Sequence, residues 1–511
     1  LEYLTANQTI DRFNQTVCLE APEHLSYENV CQALSALFKQ HSALRLRTEG
    51  QGLQTKFIVD PANTTPVPVI EVLDLTTLDV TQAQNTLITA IDNLSSKLAP
   101  QRPGSMVAAL WVQRNQQPSL LVLTLHHFVV DGVSWRILLD DLKSLTTEST
   151  AVLPEKTMSL RAWAETLQQE GQQGQRRQEE ALWLSQTVGT DVLPLDNAID
   201  PGVNQQQNVE TVQGRLDPAQ TERLTQAQTT YHGGINDVLL ASLGLALRKW
   251  SLQQYGQQLG DLTIALEGHG RETEADLSQT VGWLTSMFPL RLEVGGLDLD
   301  DPQSAGHAIR RIKERLRALP DKGLGYGILR YLDTGSTLAQ ANTLAPQLVF
   351  NYLGRLDQKT ANTKQWQLAE GFASTAEDAA DRQRLHLIEV NAVIQANGAL
   401  TFEVNYCRQA YSKASMEQLV RCFETMLKTV SEHCLHSPFA NRHTPSDYPL
   451  VKQAIDQAPL LTQSLLDQLT LQYPDLQDIV PLTPSQQGLA FESMARQAGL
   501  EDPYHIQIIL I

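Results

Sequence analysis

At 511 residues the chain exceeds the roughly 100–200 of one compact domain, so two or more units are expected. Its 42% apolar and 19% charged content is that of a folded globular protein, and a formal charge of −18 argues against nucleic acid as the main partner. Five cysteines (Cys18, Cys31, Cys407, Cys422 and Cys434) form neither a C-x-x-C pair nor a zinc-spaced Cys/His cluster, which reads as idle thiols in a reducing, cytoplasmic setting. The opening LEYLTANQTI lacks the basic flank and apolar core of a signal peptide. No apolar run approaches the ~18 residues of a membrane span, so the sequons at Asn14 and Asn63 carry little weight.

In chain order, Val30, Leu34 and Leu37 share one face of a predicted helix in 27–47, with LRLR as a strand entry. A second amphipathic helix is predicted over 84–98. The apolar runs 105–113 and 119–127, joined by RNQQP, read as a hairpin. Trp135, Leu138, Leu139 and Leu142 then recur at helical spacing, with Ser134 placed to cap. The glutamine-rich stretch 168–180 reads as an exposed helix or connector and as the first boundary. Beyond it the pattern repeats: helix 235–250, strand 262–268, helix 305–319, strand 347–354, strands in LHLIEVNAVIQ and ALTFEVNYC, and a closing helix that ends near 440. Two mixed α/β halves are expected. A Pro/Ser/Asn linker follows, and then the beginning of something new.

Two stretches hold titratable groups where strands end. In LTLHHFVVDG, a strand regular to its end puts His127 on the side of Leu123 and Leu125, and His126 on the other with Val122 and Thr124. Adjacent histidines therefore cannot face one cavity, and alternation alone does not say which one works. The bland reading is a strand end whose imidazoles hydrogen-bond the backbone, with Asp131 in a structural ion pair. In LTIALEGHGRE, Thr263, Ala265 and Glu267 share a face, so a carboxylate stands above small side chains with room for a ligand. Its bland reading is a solvated charged loop. A serine nucleophile elbow is missing from DGVSW, and no third ligand lies near the histidines for a metal. KGLGYGILRYL (322–332) has no preceding strand and no Gly-Lys-Ser/Thr, so it reads as a glycine-rich approach to a helix rather than a phosphate loop.

Taken together, HHFVVDGVSW resembles the H-H-x-x-x-D-G signature of the condensation-domain superfamily of nonribosomal peptide synthetases. EGHGRE (267–272), TVGWLTSMFPLRL (280–292), KGLGYGILRYL and LVFNYLGRLD (348–357) resemble, in order, the later motifs of epimerization domains. The resemblance covers about 13–447. It implies an α/β fold of two chloramphenicol-acetyltransferase-like halves, a V-shaped pseudodimer with a central tunnel. The implied units are 1–180, 181–446, a linker over 447–477, and the start of a condensation domain over 478–511, where VPLTPSQQGLAFES resembles a first motif and DPYHIQIIL a first strand.

The activity implied is inversion of Cα in an aminoacyl or peptidyl thioester. The substrate is held on the phosphopantetheine of an upstream carrier domain, and no cofactor or metal is required. His127 and Glu267 would exchange protons on opposite faces; His126, Asp131, Arg271, Asn351 and Tyr352 would support them. Asp131 would orient the motif loop through an ion pair. Asn351 and Tyr352 are adjacent, so either a bulge re-aims one or only one touches substrate. The resemblance implies a downstream condensation domain as the other partner, and neither nucleic acid nor membrane. The rival readings are a condensation domain, with His127 deprotonating an attacking amine, and a catalytically silent module that recruits partners to a carrier.

Overall fold

The computed structural model describes residues 12–50, 55–147, 152–341, 345–355, 365–369, 379–436, 442–452 and 461–495. The first half is built on a sheet of β1 (Asn14–Glu20), β4 (Ile70–Asp74), β5 (Val107–Arg114) and β6 (Gln117–His126), beside a small hairpin of β2 (Leu46–Glu49) and β3 (Lys56–Val59). Strand alternation sorts its side chains into two cores. Leu121, Leu123 and Leu125 join Ala109 and Trp111 under the helices Tyr27–Gln40 and Gly132–Thr147. Leu120 and Val122 join Leu110 and Val112 under the helix Val80–Ser95. The expected strand entry at LRLR begins as a 3₁₀ turn over Ser42–Arg45, and the strand starts only at Leu46.

The second half carries a six-stranded sheet in the order β7, β13, β12, β10, β8, β9. Its strands are β7 (Val209–Leu216), β8 (Leu262–Gly268), β9 (Ser286–Leu292), β10 (Leu348–Arg355), β12 (Ile388–Ile394) and β13 (Leu400–Cys407). One face is apolar: Leu262, Ile264 and Leu266 of β8 and Leu348 and Phe350 of β10 meet the helices Ile235–Tyr255 and Lys413–His436. INDVLLASLGLALRKW is apolar nearly all round, as a helix enclosed by protein must be, and Val238 to Leu247 are all buried. The opposite face of the sheet is polar. It carries Thr263, Glu267, Asn351, Glu389 and Asn391, as the pairings Val349↔Ala265, Val349↔Glu389 and Asn351↔Asn391 require.

Two features of the halves differ from the expectation. The stretch 168–180 is not a loose connector. It ends the helix Leu160–Gln173 and is clamped to the second half: Arg177 forms a two-pronged bond to Asp333 (2.7 and 2.8 Å), and Arg176 binds Asp321 (2.7 Å) as well as Glu170 and Glu179. The second is β11 (Gln367–Leu368), which leaves the second half in sequence and pairs with β1 through Leu19↔Leu368, extending the first sheet. The order β11-β1-β6-β5-β4 thus knits the halves together.

The linker, too, is partly docked. Lys313, 1% exposed in the helix Ser304–Ala318, donates to Asp447 (2.5 Å) and to the Tyr231 carbonyl (2.7 Å). Burial pushes its pKa below the ordinary range, and Asp447 opposes that shift. Tyr448, Leu461 and Leu466 make a small core of their own, and Arg310 reaches Asp467. A helix spans Pro484–Ala495 in the first-motif stretch, while DPYHIQIIL lies outside the described residues. No helix among the described residues is long and apolar enough to cross a membrane. Removing one partner of a buried ion pair costs about 3–5 kcal/mol. Lys313→Met is therefore expected to speed amide exchange across 443–452 and leave β12 unchanged, as hydrogen-exchange mass spectrometry would register.

Candidate active site

β6 ends at His126, and His127 opens a 3₁₀ turn, so the two rings diverge by a change of backbone conformation rather than by alternation alone. His126 is fully buried and its Nδ1 accepts from the Phe128 N–H (3.2 Å), a structural bond. His127 is half-buried. Its ring stacks on Phe13 (centroids 4.8 Å apart, planes 12° apart) and packs against Trp283 at 4.5 Å. Its Nε2 lies 2.9 Å from the Gln15 side-chain nitrogen, and its Nδ1 is buried with no hydrogen-bond partner among the described residues. Desolvation by this aromatic shell pushes the imidazole pKa below 6.5, and Arg382 adds to the depression. The His127 and Val130 carbonyls and Asp131 oppose it.

Beyond His127 the chain turns through Asp131, and the expected cap is displaced. Asp131, not Ser134, serves the first turn of the helix, its Oδ1 accepting from the Ser134 N–H (2.8 Å). The Ser134 hydroxyl instead crosses to the other half, donating to the Gly282 carbonyl (2.8 Å) and accepting its N–H (3.0 Å). Asp131 crosses as well. Both of its oxygens are taken by Arg271 (2.8 and 3.1 Å), and its Oδ2 also accepts from the Leu284 N–H (3.0 Å). Arg271 completes the knot on Ser134 Oγ and the Thr280 carbonyl, both at 3.1 Å. This pair is almost entirely out of solvent, with 4% of the Asp131 and 6% of the Arg271 side chain exposed. Gly270, at φ 64°, lets the loop pass beneath the Leu284 carbonyl; a Cβ there would stand 1.7 Å from that oxygen.

Glu267 lies on the polar face of β8, opposite Met287 in β9 and four residues before Arg271. It is reachable by water yet ringed by enough protein that desolvation raises its pKa, with the Glu389 charge adding to the rise. His127 precedes Asp131 by four residues just as Glu267 precedes Arg271, so the buried ion pair ties both loops together. No hydrogen bond among the described residues joins His127 to Glu267 directly.

Asn351 and Tyr352 part company. The register shift in β10 falls after Tyr352, between it and Arg355, so it re-aims neither residue. Asn351 shares the Glu267 face. Its amide nitrogen donates to Asn391 (3.1 Å), while its oxygen is buried and without a partner among the described residues. Tyr352 packs against the apolar core on the other face, and burial raises its phenol pKa. Of the two, only Asn351 is placed beside Glu267.

The sequence reading missed Phe13, Gln15, Trp135, Arg382, Glu389 and Asn391, and it assigned Trp283 no role. Phe13 and Gln15 reach His127 only through the antiparallel register Asn14↔His126. Trp283 gets there through the Asp131–Arg271 knot, and Arg382 lies over the Phe13 ring at 5.4 Å. Adjacent strands could have been guessed from alternation, but their register could not.

With this geometry in place, comparison with known proteins is decisive about family. The condensation-domain family matches residues 4–447. The chain belongs to the condensation-domain family. It is 34% identical over 514 residues to one of the linear gramicidin synthase proteins of Brevibacillus parabrevis, covering 97% of this chain and 6% of that protein. Chondramide synthase of Chondromyces crocatus is 35% identical over 512 residues, covering 96% and 12% respectively. The chain therefore spans a small fraction of these relatives. Among solved structures, the epimerization domain from the third module of tyrocidine synthetase B superposes with a TM-score of 0.72 at 29% identity, covering 84% of this chain and 93% of that one. The two-lobed, chloramphenicol-acetyltransferase-like architecture expected from the motifs is thus the one observed.

If the knot holds the lobes of this condensation-family chain together, its partners must be energetically coupled. Arg271→Met alone leaves a buried, unpaired carboxylate, and a cost of about 3–5 kcal/mol is expected. Combining it with Asp131→Asn removes the stranded charge, so the double variant should be more stable than additivity predicts by about 1–3 kcal/mol in urea unfolding.

Proposed function

We propose that this chain inverts the α-carbon of an aminoacyl or peptidyl thioester carried on the phosphopantetheine arm of a carrier domain, with His127 and Glu267 as the proton-transfer pair. The observation that carries the reading is the second titratable group. Forming a peptide bond needs one base to deprotonate an amine, whereas inversion needs a proton removed from one face and another delivered to the opposite face. A carboxylate with a raised pKa, on a different lobe from a histidine with a lowered one, fits the second requirement. Likeness to the tyrocidine synthetase epimerization domain points the same way.

Both shifts favour the uncharged forms. Their directions suit the chemistry, an imidazole that accepts a proton and a carboxyl that donates one. On this reading His127 removes the α-proton, and the C–H electron pair moves into the thioester as an enolate. Glu267 then returns a proton to the other face of Cα. The pair is left as imidazolium and carboxylate, and transfer to solvent restores it; the reverse reaction uses the same groups in exchanged roles. Asn351, whose amide oxygen has no partner among the described residues and which shares the Glu267 face, lines the substrate path. Asp131 and Arg271 hold the two loops in place and do not react.

The deciding experiment loads an L-aminoacyl-phosphopantetheinyl carrier, adds the chain in D₂O and examines the released acid. D-product with α-deuterium is expected, slowed about 10²–10⁴-fold in both His127→Ala and Glu267→Gln. Amide formed with a second loaded carrier, and no exchange, would make the chain a condensation catalyst. Carrier binding with neither reaction would leave a silent recruiting module. In the exchange assay, the limb of the pH profile set by deprotonation of the histidine should lie below pH 6.5, because burial disfavours the imidazolium. A limb above that value would contradict the desolvated site.

A further inference from the structure

Behind His127 lies a chain of two hydrogen bonds that none of its sequence motifs announces. The Trp135 indole nitrogen is 2.8 Å from Gln15 Oε1, and Gln15 Nε2 is 2.9 Å from His127 Nε2. An indole N–H can only donate, so the Gln15 oxygen must face Trp135. That assignment leaves the Gln15 nitrogen, itself only a donor, facing His127. A histidine nitrogen that meets a donor has to be the bare, accepting one. The ring proton of the neutral form is then on Nδ1, the atom closed off from solvent.

We infer that Trp135 and Gln15 are positioning residues that lock His127 in its Nδ1–H tautomer; the Gln15 amide bond fills the single Nε2 lone pair in the resting site and is displaced when that atom accepts the substrate proton. This rests on the epimerization reading for the substrate, though not for the tautomer. Once Nε2 is protonated it meets the Gln15 amide donor, and Gln15 cannot turn its oxygen inward without breaking the bond to Trp135. The imidazolium therefore gains no acceptor from Gln15, and the proton is readily passed on. The other charges around the ring are Asp131 in the following turn, itself bound to Arg271, and Arg382 across the Phe13 ring.

The test is ¹⁵N NMR of the histidine side chains in the whole chain, with His127 identified by its loss in His127→Ala. The wild type is expected to show a protonated Nδ1 and a bare Nε2 at neutral pH. In Gln15→Glu a carboxylate replaces the amide donor, so the proton should move to Nε2 and the titration midpoint rise by about 1–3 units. Trp135→Phe frees Gln15 to turn over and should move both readouts in the same direction without adding a charge. A wild-type ring with its proton on Nε2 would overturn the inference, as would titration curves that superimpose in all three proteins. Because no thioester is present, failure of the epimerization assay leaves this readout intact. If both hold, Gln15→Glu lowers kcat for exchange about 10-fold or more and leaves KM near its original value.

Discussion

Everything about the site hangs on one buried ion pair. Asp131 follows the histidine motif in the first half, Arg271 ends the Glu-Gly-His-Gly-Arg stretch in the second, and the two meet out of solvent in two parallel bonds. Such a pair is expensive to bury and holds only when the remaining lone pairs and protons are satisfied. Here the Ser134 and Leu284 N–H groups, the Ser134 hydroxyl and the Thr280 carbonyl supply most of those partners. What the arrangement gains is geometry. It fixes the loop that carries Trp283 against His127 and ties together the two loops that follow His127 and Glu267.

The two lobes use their sheets differently to reach that seam. The first sheet is covered on both faces by apolar clusters, so it offers the site only its strand ends. The second sheet buries one face under two long helices and leaves the other polar, and that face presents Glu267, Asn351, Asn391 and Glu389. Opposite environments follow. His127 is desolvated by aromatic rings, and Glu267 by the protein around a sheet face that already bears a second carboxylate, Glu389. Each group is pushed toward its neutral form, by burial first and by neighbouring charge second.

Additional clasps keep the lobes in register: β11 on the edge of β1, Arg177 on Asp333, and Arg176 on Asp321. The same strategy continues beyond the second lobe, where Lys313 and Arg310 anchor the connector through Asp447 and Asp467. Most of these contacts join residues more than a hundred positions apart. Apart from the β11 strand pairing they share a chemistry, an Arg or Lys meeting a carboxylate at a surface that apolar packing alone does not specify.

Much of this is legible in the linear pattern of residues. Continuous apolar runs placed β5 and β6, apolar strand segments placed β8, β12 and β13, and the all-round apolar helix Ile235–Tyr255 could only be enclosed. The His-His pair, Asp131 and Glu267 stood out because strand ends and turns are where titratable groups can be displayed, whereas the choice of His127 and the part given to Arg271 came only from the resemblance, and the order of the motifs carried the family. Folding settled what remained. It ended β6 one residue before His127, turned Tyr352 into the core while leaving Asn351 on the Glu267 face, replaced Ser134 by Asp131 as the cap, and made a clamp of the polar stretch 168–180. It also brought Phe13, Gln15 and Trp135 to His127. The reason is physical: periodicity tells which way a side chain points within its own strand, but strand register and lobe docking are set by pairings between residues far apart in the chain, and no local pattern encodes those.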